Sequence, residues 1–177
     1  MTLQEAAAAA RPGVVLREAA GPDDELVLHG GGEVLRLPRT AEAAARLVLL
    51  VRALPRLRPL VPVAVPLPRL VGVLEDGSTP FTAERRLPGV PGLALEGPAV
   101  GQLAGLLAAL ADVPVREAQS WGVPGDGVLL HGALTPAALL VDPRRGVLTG
   151  VVGWRLRLGE QADDHAGLDP AVRAALG

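Results

Sequence analysis

Residues 131–142 read His-Gly-Ala-Leu-Thr-Pro-Ala-Ala-Leu-Leu-Val-Asp, and this stretch carries most of the information about the fold. The apolar run Val128–Leu130 precedes it, and a second apolar run, 147–152, follows it and ends in Gly153-Trp154. Residues 139–142 and 147–152 lie on either side of the turn residues 143–146, and this pattern predicts two strands joined as a hairpin. The stretch therefore predicts a loop that leads directly into a hairpin.

The spacing of this stretch resembles the catalytic segment of the aminoglycoside and macrolide phosphotransferase family, which reads roughly H-G-D-L-H-P-G-N-L-L-V-D. In that family a strand ending I-D-W follows, and here the strand ends Val152-Gly153-Trp154. The resemblance extends from about Val14 to Ala166. Its other segments are residues 34–39, 84–89 and 159–164, in the order of the family.

This resemblance implies an α+β, protein-kinase-like fold. It implies that residues 1–87 form an N-lobe, an antiparallel sheet of five strands with one helix. Residues 88–177 would form a truncated, mostly helical C-lobe that carries a small hairpin and a degenerate catalytic loop. Three strands, a helix and two strands in the first ninety residues match the order of a kinase N-lobe.

The resemblance also assigns a role to each motif position. Ala133 stands where the family has its catalytic Asp, Ala138 where it has a metal-binding Asn, and Gly153 where it has a second metal-binding Asp. His131 matches the first motif residue, which organises the backbone. Arg36 occupies the basic strand position of a vestigial nucleotide site, and its helix partner would fall near Leu47, where no carboxylate stands.

Phosphoryl transfer needs an acid that orients the attacking hydroxyl and oxygen ligands for Mg²⁺. Because these groups are missing, we expect a pseudokinase with a binding, regulatory or scaffolding role that is not an enzyme. No cofactor is expected beyond a vestigial ATP and Mg²⁺ site, and no metal. Two alternatives stay open. One is an active ATP-dependent phosphotransferase that uses displaced residues, and the other is an interaction module that no longer binds nucleotide.

The composition narrows the chemistry further. All seventeen basic residues are Arg, and Lys, Asn, Ile, Tyr and Cys are absent, a bias typical of a GC-rich bacterium. Without Cys or Lys there can be no disulfide, thiolate metal site or Walker-type lysine. The net charge of −2 gives no electrostatic basis for nucleic-acid binding. The sequence shows no secretory signal and no apolar run that spans a bilayer, so we expect a cytoplasmic protein without membrane contact.

Turn residues and helix signals divide the chain into elements. The predicted strands cover residues 14–17, 25–29, 33–37, 70–75 and 81–86, and Gly30–Gly32 is predicted to be a plain hairpin turn rather than a phosphate cradle. Thr40 is predicted to cap a helix over Ala41–Leu54 that Pro55 stops. Helices are also predicted over Pro98–Ala111 and Ala171–Leu176, and the segment 116–126 as a polar loop.

Acidic residues near the end of the chain could replace the missing catalytic or metal-binding groups from other positions. Asp142 is predicted to be a turn residue, and the resemblance gives Asp163 and Asp164 a role in supporting the catalytic loop. Together with Glu160 and His165 they could form a metal site or a solvated loop, and we expect the latter.

The helix Pro98–Ala111 carries Leu103, Leu106, Leu107 and Leu110 at three- and four-residue spacing, which forms one apolar stripe. In the family, additional helices bind the acceptor substrate in this part of the chain. We therefore expect exposed apolar surface here and a homodimer or a protein partner that covers it. The alternative is that the segment Asp169–Leu176 folds back over the stripe.

Overall fold

The computed structural model describes residues 2–74, 77–92 and 95–176. The chain forms two compact units. The first comprises residues 1–51 and 67–86, and the second comprises residues 52–66 and 87–177.

The first unit contains the predicted sheet. Its five strands lie in the order β1-β2-β3-β5-β4, and all neighbouring strands are antiparallel. The antiparallel five-stranded fold class is thus confirmed. The strands are β1 (Arg17–Ala19), β2 (Glu25–Gly30), β3 (Glu33–Pro38), β4 (Arg69–Val73) and β5 (Pro80–Arg85).

The turn between β2 and β3 is the hairpin that the sequence predicted. Gly31 and Gly32 have φ angles of 58° and 79°, and two consecutive positive φ angles are typical of the tight turns that match strand twist. Several strand bounds differ from the prediction, most of all those of the first strand. The first strand begins at Arg17 rather than Val14 and ends at Ala19. Glu75 and Asp76, at the end of the predicted fourth strand and in the turn after it, lie outside the described residues.

Side chains alternate between the two faces of this sheet. One face is apolar and packs against helix α1 (Leu3–Ala10), which the sequence reading missed. A capping box, in which Thr2 and Glu5 bond each other's backbone N–H groups, was the signal for this helix. The apolar cluster between sheet and helix contains Ala6, Ala7, Leu26, Leu28, Leu35, Leu37, Phe81 and Ala83.

Helix α2 (Ala41–Leu57) begins as predicted, because the Thr40 hydroxyl accepts a hydrogen bond from the Ala43 N–H at 3.1 Å. The prediction that Pro55 ends it was wrong. The helix continues to Leu57, and a 3₁₀ turn follows. A proline φ near −65° fits a helix, and one lost hydrogen bond in the last turn is offset by burial of Leu54 and Leu57, both at 0% exposure.

The second unit mixes short strands with helices. Strand β6 (Val90–Pro91) pairs with β8 (Leu139–Asp142), and β8 pairs with β9 (Val147–Val151). Strand β7 (Val128–Leu130) pairs with β10 (Arg157–Gly159). The segment 116–126, predicted as a loop, contains most of a short helix, because Ala118 and Trp121 are drawn into the core. The elements are α3 (Pro98–Ala111), α4 (Val115–Ser120), β7 (Val128–Leu130), β8 (Leu139–Asp142), β9 (Val147–Val151), β10 (Arg157–Gly159), α5 (Ala162–Ala166) and α6 (Pro170–Leu176).

The apolar stripe of α3 is not exposed. All four of its leucines are at most 5% exposed, and α6 packs against α3 with Val172 buried. The expectation of an uncovered stripe was therefore wrong, and the fold-back alternative describes the structure. The stripe gives no reason to expect a dimer or a partner at this helix. Within the described part of the chain, no helix has both the length and the apolar character needed to cross a membrane.

Candidate active site

The loop between β7 and β8 is organised around the buried imidazole of His131, which is 0% exposed. Its Nδ1 accepts the Ala133 N–H at 3.3 Å, so Nε2 carries the proton and donates it to the Val152 carbonyl at 3.0 Å. The ring also packs on Trp154 with 4.4 Å between ring centroids. Burial lowers the pKa of His131 to about 4, although the hydrogen bond to the Val152 carbonyl opposes this shift, so the ring is neutral.

Asp164 holds the same loop from the other side. Its carboxylate accepts the His131 N–H at 2.7 Å and the Gly132 N–H at 2.9 Å. The residue is 2% exposed, and burial raises its pKa in spite of these two hydrogen bonds. Gly132 has a φ of 82°, and a Cβ there would collide with the Arg155 carbonyl, which explains the glycine. The loop backbone is thus fixed by a buried acid and a buried imidazole.

The motif positions are brought together although they carry no chemical groups. A Cβ built on Gly153 would lie 4.0 Å from the Cβ of Ala138, and the Val152 N–H donates to the Ala138 carbonyl at 2.9 Å. Side chains at 138 and 153 would therefore face a common point. Ala133 lies two residues after His131, partly exposed.

These positions do not fit a hard metal ion. Mg²⁺ prefers oxygen ligands, whereas a methyl group stands at 138 and no side chain at 153. Among residues 2–74, 77–92 and 95–176, no group of three or more His, Asp and Glu side chains is placed to hold a metal ion. We therefore derive no step through a protein-bound metal.

The acidic residues near the end of the chain make different contacts and therefore have different roles. Asp142 caps the turn between β8 and β9 by accepting the Arg144 N–H at 2.8 Å, as predicted for a turn residue. Asp163 is half exposed and pairs with Arg157 at 2.9 Å. Only Asp164 turns inward to the loop, so the predicted supporting role belongs to one of the two neighbouring aspartates.

Arg36 lies on the face of the first unit's sheet opposite the apolar cluster. Its Nε and Nη1 donate to Glu84 and Glu25, each at 3.2 Å, and all three side chains are at most 15% exposed. The resemblance implied a partner on the helix near Leu47, where the sequence has no carboxylate. The structure supplies two carboxylates from β2 and β5 instead.

Helix α2 contributes a cation to this cluster. Arg46 donates to Glu25 at 2.6 Å and pairs with Asp24 at 2.9 Å. Burial raises the pKa of Glu84, because the attraction of Arg36 only partly offsets its desolvation and Glu25 adds repulsion. Charged residues within the predicted strands were the signal for this cluster, since Glu25, Arg36 and Glu84 each lie next to an apolar residue in their strands.

Similar proteins were found by structure and not by sequence. No family model and no curated protein matches the chain significantly. The solved GDP and kanamycin complex of APH(2")-IIia is similar over 99% of this chain and 82% of that chain, with 18% identity and a TM-score of 0.85. The apoenzyme of the macrolide 2'-phosphotransferase MphH from Brachybacterium faecium is similar over 98% and 79%, with 23% identity and a TM-score of 0.72.

A third structure, an aminoglycoside-3'-phosphotransferase of type VIII, is similar over 98% of this chain and 87% of that chain, with 20% identity and a TM-score of 0.65. The expectation that the chain is not an enzyme is corrected, because the structures that match 98% of this chain are those of phosphotransferase enzymes. The protein therefore has the protein-kinase-like fold of the aminoglycoside and macrolide phosphotransferases, as the motif at residues 131–142 indicated.

Proposed function

We propose that this protein transfers a phosphoryl group from a nucleoside triphosphate to a hydroxyl group of a small molecule. The observation that carries the proposal is the loop 131–138, whose backbone is held by Asp164 and His131. A buried carboxylate costs free energy unless it is paired or hydrogen-bonded, and both hydrogen bonds of Asp164 hold the loop backbone.

The chemistry asks mainly for positioning. In phosphoryl transfer the bond between the γ-phosphorus and the bridging oxygen breaks while the acceptor oxygen bonds to phosphorus, and the acceptor hydroxyl loses its proton. No carboxylate stands at Ala133 to take that proton, so it passes to water or to a phosphate oxygen. Loss of a general base lowers the rate by about 10²- to 10⁴-fold. We therefore propose a slow enzyme.

Arg36 is the candidate for nucleotide contact. Guanidinium carries five N–H donors, and Glu84 and Glu25 occupy only Nε and Nη1. The side chain is largely buried and keeps 15% of its surface exposed. A nucleotide phosphate would bind Arg36 through the remaining donors. Any magnesium would arrive with the nucleotide, since positions 138 and 153 offer it no ligand.

The proposal is tested by incubating the protein with ATP or GTP, magnesium, and kanamycin or a macrolide, the acceptor classes named for the structural neighbours. Phosphorylated acceptor is measured by mass spectrometry. We expect slow turnover that falls at least tenfold in Asp164→Asn, because the amide has one acceptor oxygen and must place an NH₂ against a backbone N–H.

Asp163→Asn is the matched control, since Asp163 is adjacent in sequence but half exposed and bonded only to Arg157 among the interactions described. It should keep the wild-type rate. Absence of phosphorylated acceptor above a protein-free blank for every nucleotide and acceptor would overturn the proposal. Equal rates in Asp164→Asn and wild type would show that the loop does not position the reacting groups.

A further inference from the structure

A pocket of about 420 Å³ opens at the end of the first unit's sheet where β2 turns into β3. Its size falls within the range of small-molecule sites. The lining comes from three places: strand β1, the glycine turn with its flanks, and the residue directly after β5. The polar residues of the lining are Arg17, Glu18, His29, Glu33 and Arg86.

Strand register explains why basic residues meet at this pocket. Arg17 of β1 lies opposite His29 of β2 in the ladder, which places both side chains on one face of the sheet. The Arg86 N–H donates to the Gly32 carbonyl at 2.9 Å, and this bond holds the backbone of Arg86 beside the turn. A Cβ built on Gly32 would meet no atom within 4 Å, so at this residue the turn presents only backbone to open space.

The pocket lining carries two arginines and two glutamates, and each glutamate is paired with an arginine outside the lining. The Glu33 carboxylate is already bound by Arg11 and by Arg69, both at 2.5 Å, so it is neutralised within the protein. Glu18 lies 3.8 Å from Arg39 in an exposed pair. In contrast, neither Arg17 nor Arg86 makes an ion pair within 4.0 Å among the described residues. Two guanidinium groups and one imidazole therefore face the pocket without committed acids.

We propose that the pocket formed by Arg17, His29, Arg86 and the Gly30–Gly32 turn is a binding site for a small phosphate-bearing anion. Guanidinium forks match the oxygens of a phosphate group, and two of them can hold one group from two sides. The site does not depend on the phosphotransfer proposed above, since it needs no nucleotide triphosphate, acceptor or catalytic loop.

Binding at this site is coupled to a proton on His29. Burial lowers the pKa of His29, and the positive charges of Arg86 and Arg36 lower it further. Arg17 from β1 adds to this cationic surround, whereas Glu33 is occupied by its own arginines. A bound anion favours the protonated imidazole and raises the pKa of His29. The protein then takes up a proton on binding and binds the anion more tightly as the pH falls below about 6.5.

The site is tested first by titrating pyrophosphate into the protein at pH 7 by calorimetry, without nucleotide. We expect the Arg17→Gln/Arg86→Gln double variant to bind roughly tenfold or more weakly than wild type, the loss expected for charge-assisted hydrogen bonds. Arg144→Gln, an exposed arginine in the β8–β9 turn of the second unit, is the matched control and should bind like wild type. Unchanged binding in the double variant, or an equal loss in the control, would overturn the proposal.

The proton coupling is tested with sulfate, whose charge is constant between pH 5.5 and pH 8. Wild type should bind sulfate roughly three- to tenfold more tightly at the lower pH, because a shift of one pKa unit corresponds to a tenfold change in affinity. In His29→Gln the difference should shrink below about twofold. A pH dependence that persists unchanged in His29→Gln would assign the proton to another group and refute this part of the proposal.

Discussion

The loop 131–138 of the second unit and the Arg36 cluster of the first unit differ in opposite ways from the pattern that the resemblance implies. The loop has backbone support from His131 and Asp164, but methyl groups and a glycine stand where the resemblance implies reactive groups. The Arg36 cluster keeps its charges, but its partners come from strands rather than from the helix. Hydrogen bonds that support a loop backbone need acceptor atoms at particular positions. A buried charge needs only a balancing charge, which any neighbouring element can supply.

The largest effect is expected from restoring the reactive groups on the intact loop. The triple variant Ala133→Asp/Ala138→Asn/Gly153→Asp should raise the phosphotransfer rate by about 10²- to 10⁴-fold, because a base returns and two oxygen ligands face one point. Asp tolerates the φ of 76° at position 153 better than most residues. The measurement is phosphorylated acceptor per unit time.

Replacing Ala138→Asn by Ala137→Asn in the same variant is the control. Ala137 is exposed, whereas Ala138 is buried beside Gly153. The phosphotransfer rate of the control should rise far less than that of the triple variant. An equal gain in both variants would show that the convergence of positions 138 and 153 has no chemical value.

The next effect concerns the Arg36 cluster. Arg36→Met leaves Glu25 and Glu84 buried without their shared cation and should lower the free energy of unfolding by about 3–5 kcal/mol. The double variant Arg36→Met/Glu84→Leu should recover much of this loss. Urea denaturation measures both. A double variant that is no more stable than Arg36→Met would show that Glu84 is not balanced by Arg36.

A similar or smaller loss is expected when the loop support is removed. Asp164→Ala leaves the buried N–H groups of His131 and Gly132 without an acceptor, which should cost about 3 kcal/mol of unfolding free energy. Asp163→Ala breaks only a half-exposed ion pair and should change stability by about 0.5 kcal/mol or less. Denaturation curves of equal midpoint for the two variants would contradict the assigned roles.

The smallest effect is the pH dependence that His131 introduces. Its lowered pKa means that the unfolded chain binds more protons between pH 6.5 and about 4, so stability falls as the pH falls through this window. The contribution lost between pH 8 and pH 5 is about 2 kcal/mol. Glu84 and Asp164 have raised pKa values and act in the opposite direction, since their contribution falls as the pH rises.

For this reason the comparison is made between wild type and His131→Gln, each denatured with urea at pH 8 and pH 5. The variant should lose less stability on acidification than wild type does. Parallel pH profiles for the two proteins would mean that the His131 ring is not buried in its neutral form.

Sequence by itself determined the fold class and the frame of the candidate site. Alternating apolar strands and glycine turns predicted the antiparallel sheet, and the stretch 131–142 with the strand after it predicted the loop and hairpin along which His131, Ala138 and Gly153 lie. These features are local, because each depends on residues close together in the chain. The failures at Pro55 and at the 116–126 segment arose where burial of neighbouring apolar residues overrode a local breaker or polar signal.

Only the tertiary structure decided which distant groups meet. The pairing of Arg36 with Glu25 and Glu84, the choice of Asp164 over Asp163 and the covering of the α3 stripe by α6 all join residues far apart in sequence. Whether a carboxylate pairs with a distant group depends on its position in the strand register or on the face of the helix that carries it. That position is set by how the elements pack, and residue identity alone does not encode it.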